Sequence, residues 1–207
     1  MSVEVIFQKL IEGLHQTTWL EFVAVIFGIA SVLYSRKENI LVYPTGIINT
    51  VLYTWFCFGW WGLFAEGSLN FYYTVMSIYG WVLWAKKKQD GTGHNLEITK
   101  SSRKEWMIAL VFFTVCYAIL YTVLKNYTNS TVPLADDFAS ASAYTGMWLM
   151  AKKKIENWIW WIVTNLASIP LYFIKGAVFT SFQYLVFLVL AVLGYMAWQK
   201  KLQLVNA

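Results

Sequence analysis

Charge, proline and cysteine are all scarce in this chain of 207 residues. Only 13% of the residues are charged against 58% hydrophobic, and there are three prolines and two cysteines. A soluble domain carries about 25% charged residues. It could not hide so much apolar surface, so we expect lipid to solvate much of the chain. Cys57 and Cys116 lie in apolar stretches and are interpreted as small buried hydrophobes, not as a disulfide or a metal pair.

Ionisable side chains are also missing from the middle of the long apolar stretches. No Lys, Arg or His lies there, and His15 and His94 fall outside, so we expect no metal site and no cofactor. The acids near the stretches lie at their ends: Glu21, Glu66, Asp136, Asp137 and Glu156. Ion-coupled pumps usually carry intramembrane ionisable groups. Their absence indicates a facilitator without a built-in proton relay.

The chain is rich in apolar stretches of about 20 residues, the length that a helix needs to cross a bilayer. We predict an all-α polytopic membrane protein with seven spans, at 18–35, 40–58, 66–85, 106–124, 134–151, 157–174 and 178–199. Of the 16 Lys and Arg residues, Lys9, Lys125 and Lys175 fall on one side of these spans and the other 13 on the opposite side. Lys and Arg in short loops mark the cytoplasmic face. We therefore expect the N-terminus outside, the C-terminus in the cytoplasm, and no nucleic-acid partner for these basic clusters.

Two sequence patterns recur along the chain. "GWVLWAKKK" begins at Gly80 and "GYMAWQKK" at Gly194, 114 residues later, while "EN" at Glu38 recurs at Glu156, 118 residues later. We interpret them as parallel three-helix repeats joined by a linker helix, which supplies the extra crossing that a second unit of the same orientation requires. The predicted segments are an N-terminal interfacial segment at 1–17 (an amphipathic helix over Val3 to Leu14), repeat 1 at 18–85, a cytoplasmic linker at 86–105, a linker helix at 106–124 and repeat 2 at 134–201.

The sixth span has a polar and aromatic face. Its side chains at helical spacing are Trp158, Trp161, Asn165, Ser168 and Tyr172. Asn165 lies about 10 Å along the axis from Trp158, inside the hydrocarbon, where a buried amide needs hydrogen-bond partners. The alternative is an interfacial aromatic belt for the tryptophans and an interhelical bond for Asn165. That alternative stays open for Trp158 and Trp160 beside the lysines, whereas Trp161 and Asn165 favour a pocket.

Other spans add amides and flat aromatic rings. The candidate substrate-binding residues are Trp158, Trp161, Asn165, Asn49, Tyr53, Asn70, Tyr73, Gln183 and Ser168. Aromatic rings can sandwich a planar heterocycle and amides can bond a sugar hydroxyl or a carboxamide, and a cationic heterocycle would gain further from the ring faces. Asp136 and Asp137 follow Pro133 at the start of span five, where helix capping is favoured over a ligand role.

These motifs resemble the PnuC family of vitamin transporters over about residues 18–200. The pattern W-x-x-W-x-x-x-N is met by Trp158, Trp161 and Asn165. The other matching motifs are "YGWxxW" at Tyr79 to Trp84, "LYxxKG" at Leu171 to Gly176, and an early acid in span five at Asp136 or Asp137. The resemblance implies a 3+1+3 fold like that of the SWEET sugar transporters. Glutamine is typical of the position where this chain has Asn70, so an amide is retained there.

The resemblance further implies nicotinamide riboside as the usual substrate, carried by facilitated diffusion and trapped inside by a cytoplasmic kinase that need not touch the transporter. Relatives carry thiamine or riboflavin, so another vitamin such as thiamine is the alternative. We expect a bacterial cytoplasmic (inner) membrane protein in contact with lipid, and a homo-oligomer with a trimer as the candidate state. A seven-helix retinal receptor would need a lysine in the last span, and 178–199 contains none. A membrane enzyme would need reactive His, Asp or Ser side chains together inside the membrane, and no His lies in any predicted span.

Overall fold

Seven long helices make up most of the protein. The computed structural model describes residues 4–5, 7–8, 11–12, 18–61, 64–86, 96–127 and 133–205. The helices are α1 (Trp19–Arg36), α2 (Val42–Phe56), α3 (Phe64–Ala85), α4 (Arg103–Tyr127), α5 (Pro133–Ala151), α6 (Asn157–Ile174) and α7 (Val178–Val205). The prediction of seven helices is confirmed. A five-residue π-helical turn, Cys57–Trp61, extends α2 and was not foreseen.

The predicted boundaries are close for most helices. The bounds of α6 match, while α4 and α7 run several residues beyond the predicted spans at 106–124 and 178–199. The predicted interfacial helix over Val3 to Leu14 lies largely outside the described residues, although residues 4–5, 7–8 and 11–12 are helical.

Two helices begin at reciprocal capping boxes. At α1, the Thr18 side chain accepts a hydrogen bond from the Glu21 backbone N–H, and the Glu21 carboxylate accepts one from the Thr18 N–H. At α4, Ser102 and Glu105 make the same exchange, at 3.3 Å and 2.8 Å. Each box satisfies backbone N–H groups that the first helical turn leaves without partners. Glu21 and Glu105 therefore serve helix initiation.

Six of the helices close into a ring. Neighbours around it are α1–α2, α2–α3, α3–α5, α5–α6, α6–α7 and α7–α1, and α4 packs outside on α5. The odd-numbered helices α1, α3, α5 and α7 end at one end of the bundle, where Trp198 bonds to Ser35 and Trp84 to Ala151. We call this the basic end, because Lys152 to Lys154 and Lys200–Lys201 lie there.

The outside of the bundle is apolar, and several polar side chains are buried within it. Met107, Val111 and Ile119 of α4 are each more than half exposed, as expected for side chains that face lipid. By length and hydropathy alone, three described segments could span a membrane: Trp19–Arg36, Arg103–Val123 and Val178–Leu204. The other four helices bury hydroxyl and amide side chains inside the ring, including Thr50, Ser77, Thr145 and Asn165.

The α1–α2 and α5–α6 turns have the same backbone conformation. Glu38 and Lys153 have positive φ, at 58° and 51°. The N–H of Glu38 donates to the Ser35 carbonyl and that of Lys153 to the Met150 carbonyl, both at 2.9 Å. The structural counterpart of Glu38 is therefore Lys153, so the "EN" alignment of Glu38 with Glu156 is wrong by three residues. Turn hydrogen bonds fix this equivalence, which a two-residue match could not.

Candidate substrate-binding site

The polar face of α6 points into the ring. Asn165 is 4% exposed and Ser168 is 2% exposed. Asn165 lies about 12 Å from the start of α6 at 1.5 Å per residue, near mid-membrane depth. The Trp161 ring lies 5.9 Å from the Tyr73 ring of α3. The structure thus brings Trp161 of the second half of the chain against Tyr73 of the first half.

Tyr72 and Tyr144 lie next to the Trp161–Tyr73 pair, and we call the four rings together the aromatic wall. The Tyr72 hydroxyl donates to the Tyr144 backbone oxygen at 3.1 Å, and their rings meet edge to face at 4.3 Å. Tyr72 also contacts Tyr73 at 6.2 Å. Tyr144 is not among the predicted residues, although it is the one large side chain between Ala139 and Gly146. A lone ring among small residues is a signal that the neighbouring helix approaches closely there.

A second group of candidate residues lies toward the end opposite the basic end. Tyr53 of α2 lies close enough to Gln183 of α7 for their polar groups to interact. Tyr184 lies close to Ser168 in the same way and stacks on Tyr172 at 5.1 Å, with the planes 14° apart. Three predicted residues (Tyr53, Gln183 and Ser168) are therefore gathered around Tyr184. Helical periodicity does not point to Tyr184, because one residue beyond Gln183 falls on a different part of the helix surface.

Two predicted amides already donate within the protein. The Asn49 side chain donates to the Ala24 carbonyl of α1 at 2.7 Å, and it lies so close to Gly28 that a Cβ there would be 2.9 Å from its nitrogen. The Asn70 side chain donates to the Glu66 carbonyl one turn earlier, at 2.9 Å. An amide has a second N–H and an accepting oxygen. Their roles as substrate ligands stay predictions, alongside a clear packing role for Asn49.

Trp158 and Trp160 are both covered by other helices. Trp158 is 2% exposed and meets Trp198 of α7 edge to face at 5.6 Å. Trp160 is 7% exposed and packs on Phe113 of α4 at 5.1 Å. The interfacial-belt interpretation is therefore wrong for both, since neither ring faces lipid. Trp158 lies at the basic end, one turn from Trp161, and its role as a ligand stays a prediction.

The two acids at the start of α5 differ in their surroundings. Both carboxylate oxygens of Asp136 accept from the Lys175 ammonium group, at 2.6 Å and 2.7 Å, which ties α5 to the end of α6. Asp137 is fully buried, and within the described residues neither of its oxygens has a hydrogen-bond partner. Among those same residues, no group of three or more His, Cys, Asp or Glu side chains could hold a metal ion.

A ring of apolar-surfaced helices around buried aromatic, amide and hydroxyl side chains defines a polytopic membrane protein. Residues 18–200 match the model of one protein family, which is described as "Nicotinamide mononucleotide transporter". The chain belongs to this family of membrane transporters. The expectation of a transporter and not a receptor or an enzyme is thereby confirmed.

Several characterised transporters are similar over most of their length. The nicotinamide riboside transporter PnuC of Haemophilus influenzae is 28% identical over 196 residues, covering 91% of this chain and 83% of that protein. PnuC of Escherichia coli is 23% identical over 211 residues, with 90% and 87% covered. The riboflavin/roseoflavin transporter RibM of Streptomyces davaonensis is 25% identical over 186 residues, with 87% and 84% covered.

A solved structure has the same fold. The crystal structure of the vitamin B3 transporter PnuC superimposes with a TM-score of 0.72, covering 96% of this chain and 88% of that one, at 22% sequence identity. At this identity the likeness establishes the arrangement of the helices, not the substrate.

Proposed function

We propose that the protein is a facilitated-diffusion transporter, a uniporter, for nicotinamide riboside, with uptake made directional by phosphorylation inside the cell. The observation that carries the proposal is the Trp161–Tyr73 contact beside the buried Asn165. Nicotinamide riboside has a flat cationic pyridinium ring, a carboxamide and a ribose. Aromatic faces attract such a cation, and an amide side chain can exchange hydrogen bonds with a carboxamide or a sugar hydroxyl.

Two kinds of relative favour different substrates. The PnuC proteins of Haemophilus influenzae and Escherichia coli are named for nicotinamide riboside, and RibM for riboflavin and roseoflavin. The wall formed by Tyr72, Tyr73, Tyr144 and Trp161 is drawn together by ring contacts of 4.3 to 6.2 Å. Such ring faces suit a flat cationic ring, which the pyridinium of nicotinamide riboside provides. Another vitamin with a small cationic ring, such as thiamine, is the alternative.

The remaining features of the proposal concern organisation in the cell. The distribution of Lys and Arg supports an orientation with the N-terminus outside and the basic end in the cytoplasm. The bacterial relatives support a bacterial cytoplasmic (inner) membrane. The ring of helix contacts is unchanged when α1–α3 are exchanged with α5–α7, which supports the parallel 3+1+3 repeats. We also propose a homo-oligomer embedded in lipid, with a trimer as the candidate, and a kinase that acts without direct contact.

A binding panel tests the substrate. Purified protein in detergent is titrated calorimetrically with nicotinamide riboside, thiamine and riboflavin under identical conditions. We expect nicotinamide riboside to bind at least tenfold more tightly than the other two, a difference of about 1.4 kcal/mol. Tighter binding of thiamine or riboflavin would reassign the substrate within the same fold. A homo-oligomer is tested on the same sample by its mass after subtraction of the detergent.

A further inference from the structure

The two equivalent turns touch each other at the basic end. The Lys153 ammonium group lies 2.8 Å from Glu38 Oε1, and the two side chains are 5% and 22% exposed. The same ammonium group lies 4.5 Å above the Trp84 ring. Lys201 of α7 approaches the other Glu38 oxygen at 3.0 Å and is 45% exposed. A partly buried pair of opposite charges therefore joins the first half of the chain to the second, beyond the ends of the helices.

A pair of tryptophans lies beneath this ion pair. The Trp84 indole N–H donates to the Ala151 carbonyl at the end of α5, at 3.2 Å, and that of Trp198 donates to the Ser35 carbonyl in α1, at 2.9 Å. Each bond links a helix of one half to a helix of the other. The two rings are 2% and 0% exposed and lie 6.3 Å apart. Both rings are buried between the helices at this end.

Trp84 of the first half and Trp198 of the second half also have equivalent aromatic neighbours. Tyr43 meets Trp84 edge to face at 5.1 Å, as Trp158 meets Trp198 at 5.6 Å. The Tyr43 ring packs against Gly80 and the Trp158 ring packs against Gly194. A Cβ at either glycine would come within 2.5 Å of the ring that packs on it. The same construction thus closes the basic end twice, once from each half of the chain.

The turns differ in what holds them from outside. Segment 96–102, before α4, is bound along the α5–α6 turn: the Thr99 N–H donates to the Lys153 carbonyl and the Thr99 carbonyl accepts from Ile155, at 3.1 and 3.0 Å. Ser101 gives three hydrogen bonds to the Glu156 carboxylate, at 2.7 to 3.0 Å. Within the described residues, the α1–α2 turn has no such backbone partner. It is held through Glu38, through Trp198 and by Lys201, whose ammonium group donates to the Lys37 carbonyl at 3.3 Å.

Resting on the transport function proposed above, we propose that the Glu38–Lys153 pair and the Trp84–Trp198 pair form a latch that keeps the predicted cytoplasmic end closed. The latch opens when the α1–α2 turn moves away from the α5–α6 turn, which segment 96–102 holds in place. Release breaks the ion pair and the Trp198–Ser35 bond together, so that substrate can leave past Trp198.

Thiol accessibility beneath the latch tests this without any substrate. Ser35 is 2% exposed and is changed to cysteine after Cys57 and Cys116 have been replaced by alanine. Its labelling by a membrane-impermeant maleimide is timed in inside-out vesicles. We expect Glu38→Gln and Lys153→Gln each to speed labelling about fivefold, which corresponds to ~1 kcal/mol of lost closed-state stability. Lys152→Gln is the matched control, because Lys152 lies on the same turn but over the Trp148 ring.

The double substitution excludes simple unfolding. If the two residues act through one ion pair, Glu38→Gln combined with Lys153→Gln should label no faster than either single variant. Equal rates in the parent Ser35→Cys protein, Glu38→Gln and Lys153→Gln would overturn the latch. So would a double variant in which the two increases multiply, or an equal increase in Lys152→Gln. If no vitamin binds the purified protein, the proposed substrate fails while these rates still decide the latch.

Cross-linking tests which turn moves. Cysteines at Glu38 and Lys153 are joined by a short bifunctional maleimide, and a second variant joins cysteines at Thr99 and Lys154, which pair across the segment–turn contact. Locking the first pair should stop nicotinamide riboside uptake into vesicles, and locking the second should leave at least half of it. Equal loss of uptake in both would overturn the assignment of the α1–α2 turn as the moving side.

Discussion

Replacing Asn165 with leucine separates binding from folding. The side chain is 4% exposed and lies in the middle of α6, and leucine has a similar volume, so the helix should still pack. What is lost is an amide facing a desolvated ligand. Leaving a carboxamide or hydroxyl of the substrate without its partner costs about 1–3 kcal/mol. The dissociation constant for nicotinamide riboside should therefore rise about fivefold to 150-fold, at 1.4 kcal/mol per factor of ten.

The assay combines calorimetric titration with thermal unfolding in the same detergent. The matched control is Thr164→Val, an isosteric loss of a polar group at a neighbouring position that is 5% exposed. The Thr164 hydroxyl has no hydrogen-bond partner among the described residues, so its replacement by a methyl group should leave affinity unchanged and should not lower the melting temperature. Near-normal affinity of Asn165→Leu with an unchanged melting temperature would show that Asn165 does not bind substrate. A large fall in melting temperature would assign it to helix packing.

Four other predictions follow from the same geometry. Trp161→Ala should weaken nicotinamide riboside binding far more than Trp160→Ala, because Trp160 packs on Phe113 outside the ring; equal effects in a titration would reverse this assignment. In sealed vesicles without kinase, labelled nicotinamide riboside should enter only until the two concentrations match, and accumulation that an uncoupler abolishes would refute the uniporter. Gly194→Ala should lower stability by about 1–3 kcal/mol through overpacking against Trp158, whereas Gly59→Ala, with no atom within 4 Å of the new methyl group, should not. Burial raises the pKa of Glu38, but its bonds to Lys153 and Lys201 outweigh this and bring that pKa below the ordinary 4.5. The stability that Glu38 contributes should thus be present above pH 4.5 and be lost as pH falls through the lowered pKa. Melting curves of Glu38→Gln against pH should lack this loss of stability at low pH.

The helices of this protein were predictable because the sequence marks both their lengths and their ends. Apolar stretches define the spans, and lysine clusters close several of them, so the bounds of α6 at Asn157–Ile174 needed no correction. Periodicity also placed Asn165 and Ser168 on the buried face of α6. These are local properties of a single helix, and tertiary packing reinforces them.

The partners of each face were not predictable in the same way. Periodicity puts Trp158 and Trp161 on one side of α6, but Trp158 is covered by α7 and Trp161 meets α3. Depth along the helix decides which neighbour is met, and hydropathy does not contain that information. The docking of Ser101 on Glu156 was missed for the same reason, since it joins residues 55 positions apart through a polar segment with no periodic signal.

The opposite charges of Glu38 and Lys153 bear on how such a chain could have arisen. The two residues occupy matching places in turns of the same conformation, yet they attract each other at 2.8 Å. Had the two halves been identical subunits, each turn would have met a copy of itself, and glutamate would have faced glutamate or lysine would have faced lysine. Such like-charge contacts are repulsive. Because the two turns carry different residues in one chain, an attraction replaces the repulsion that two identical turns would meet.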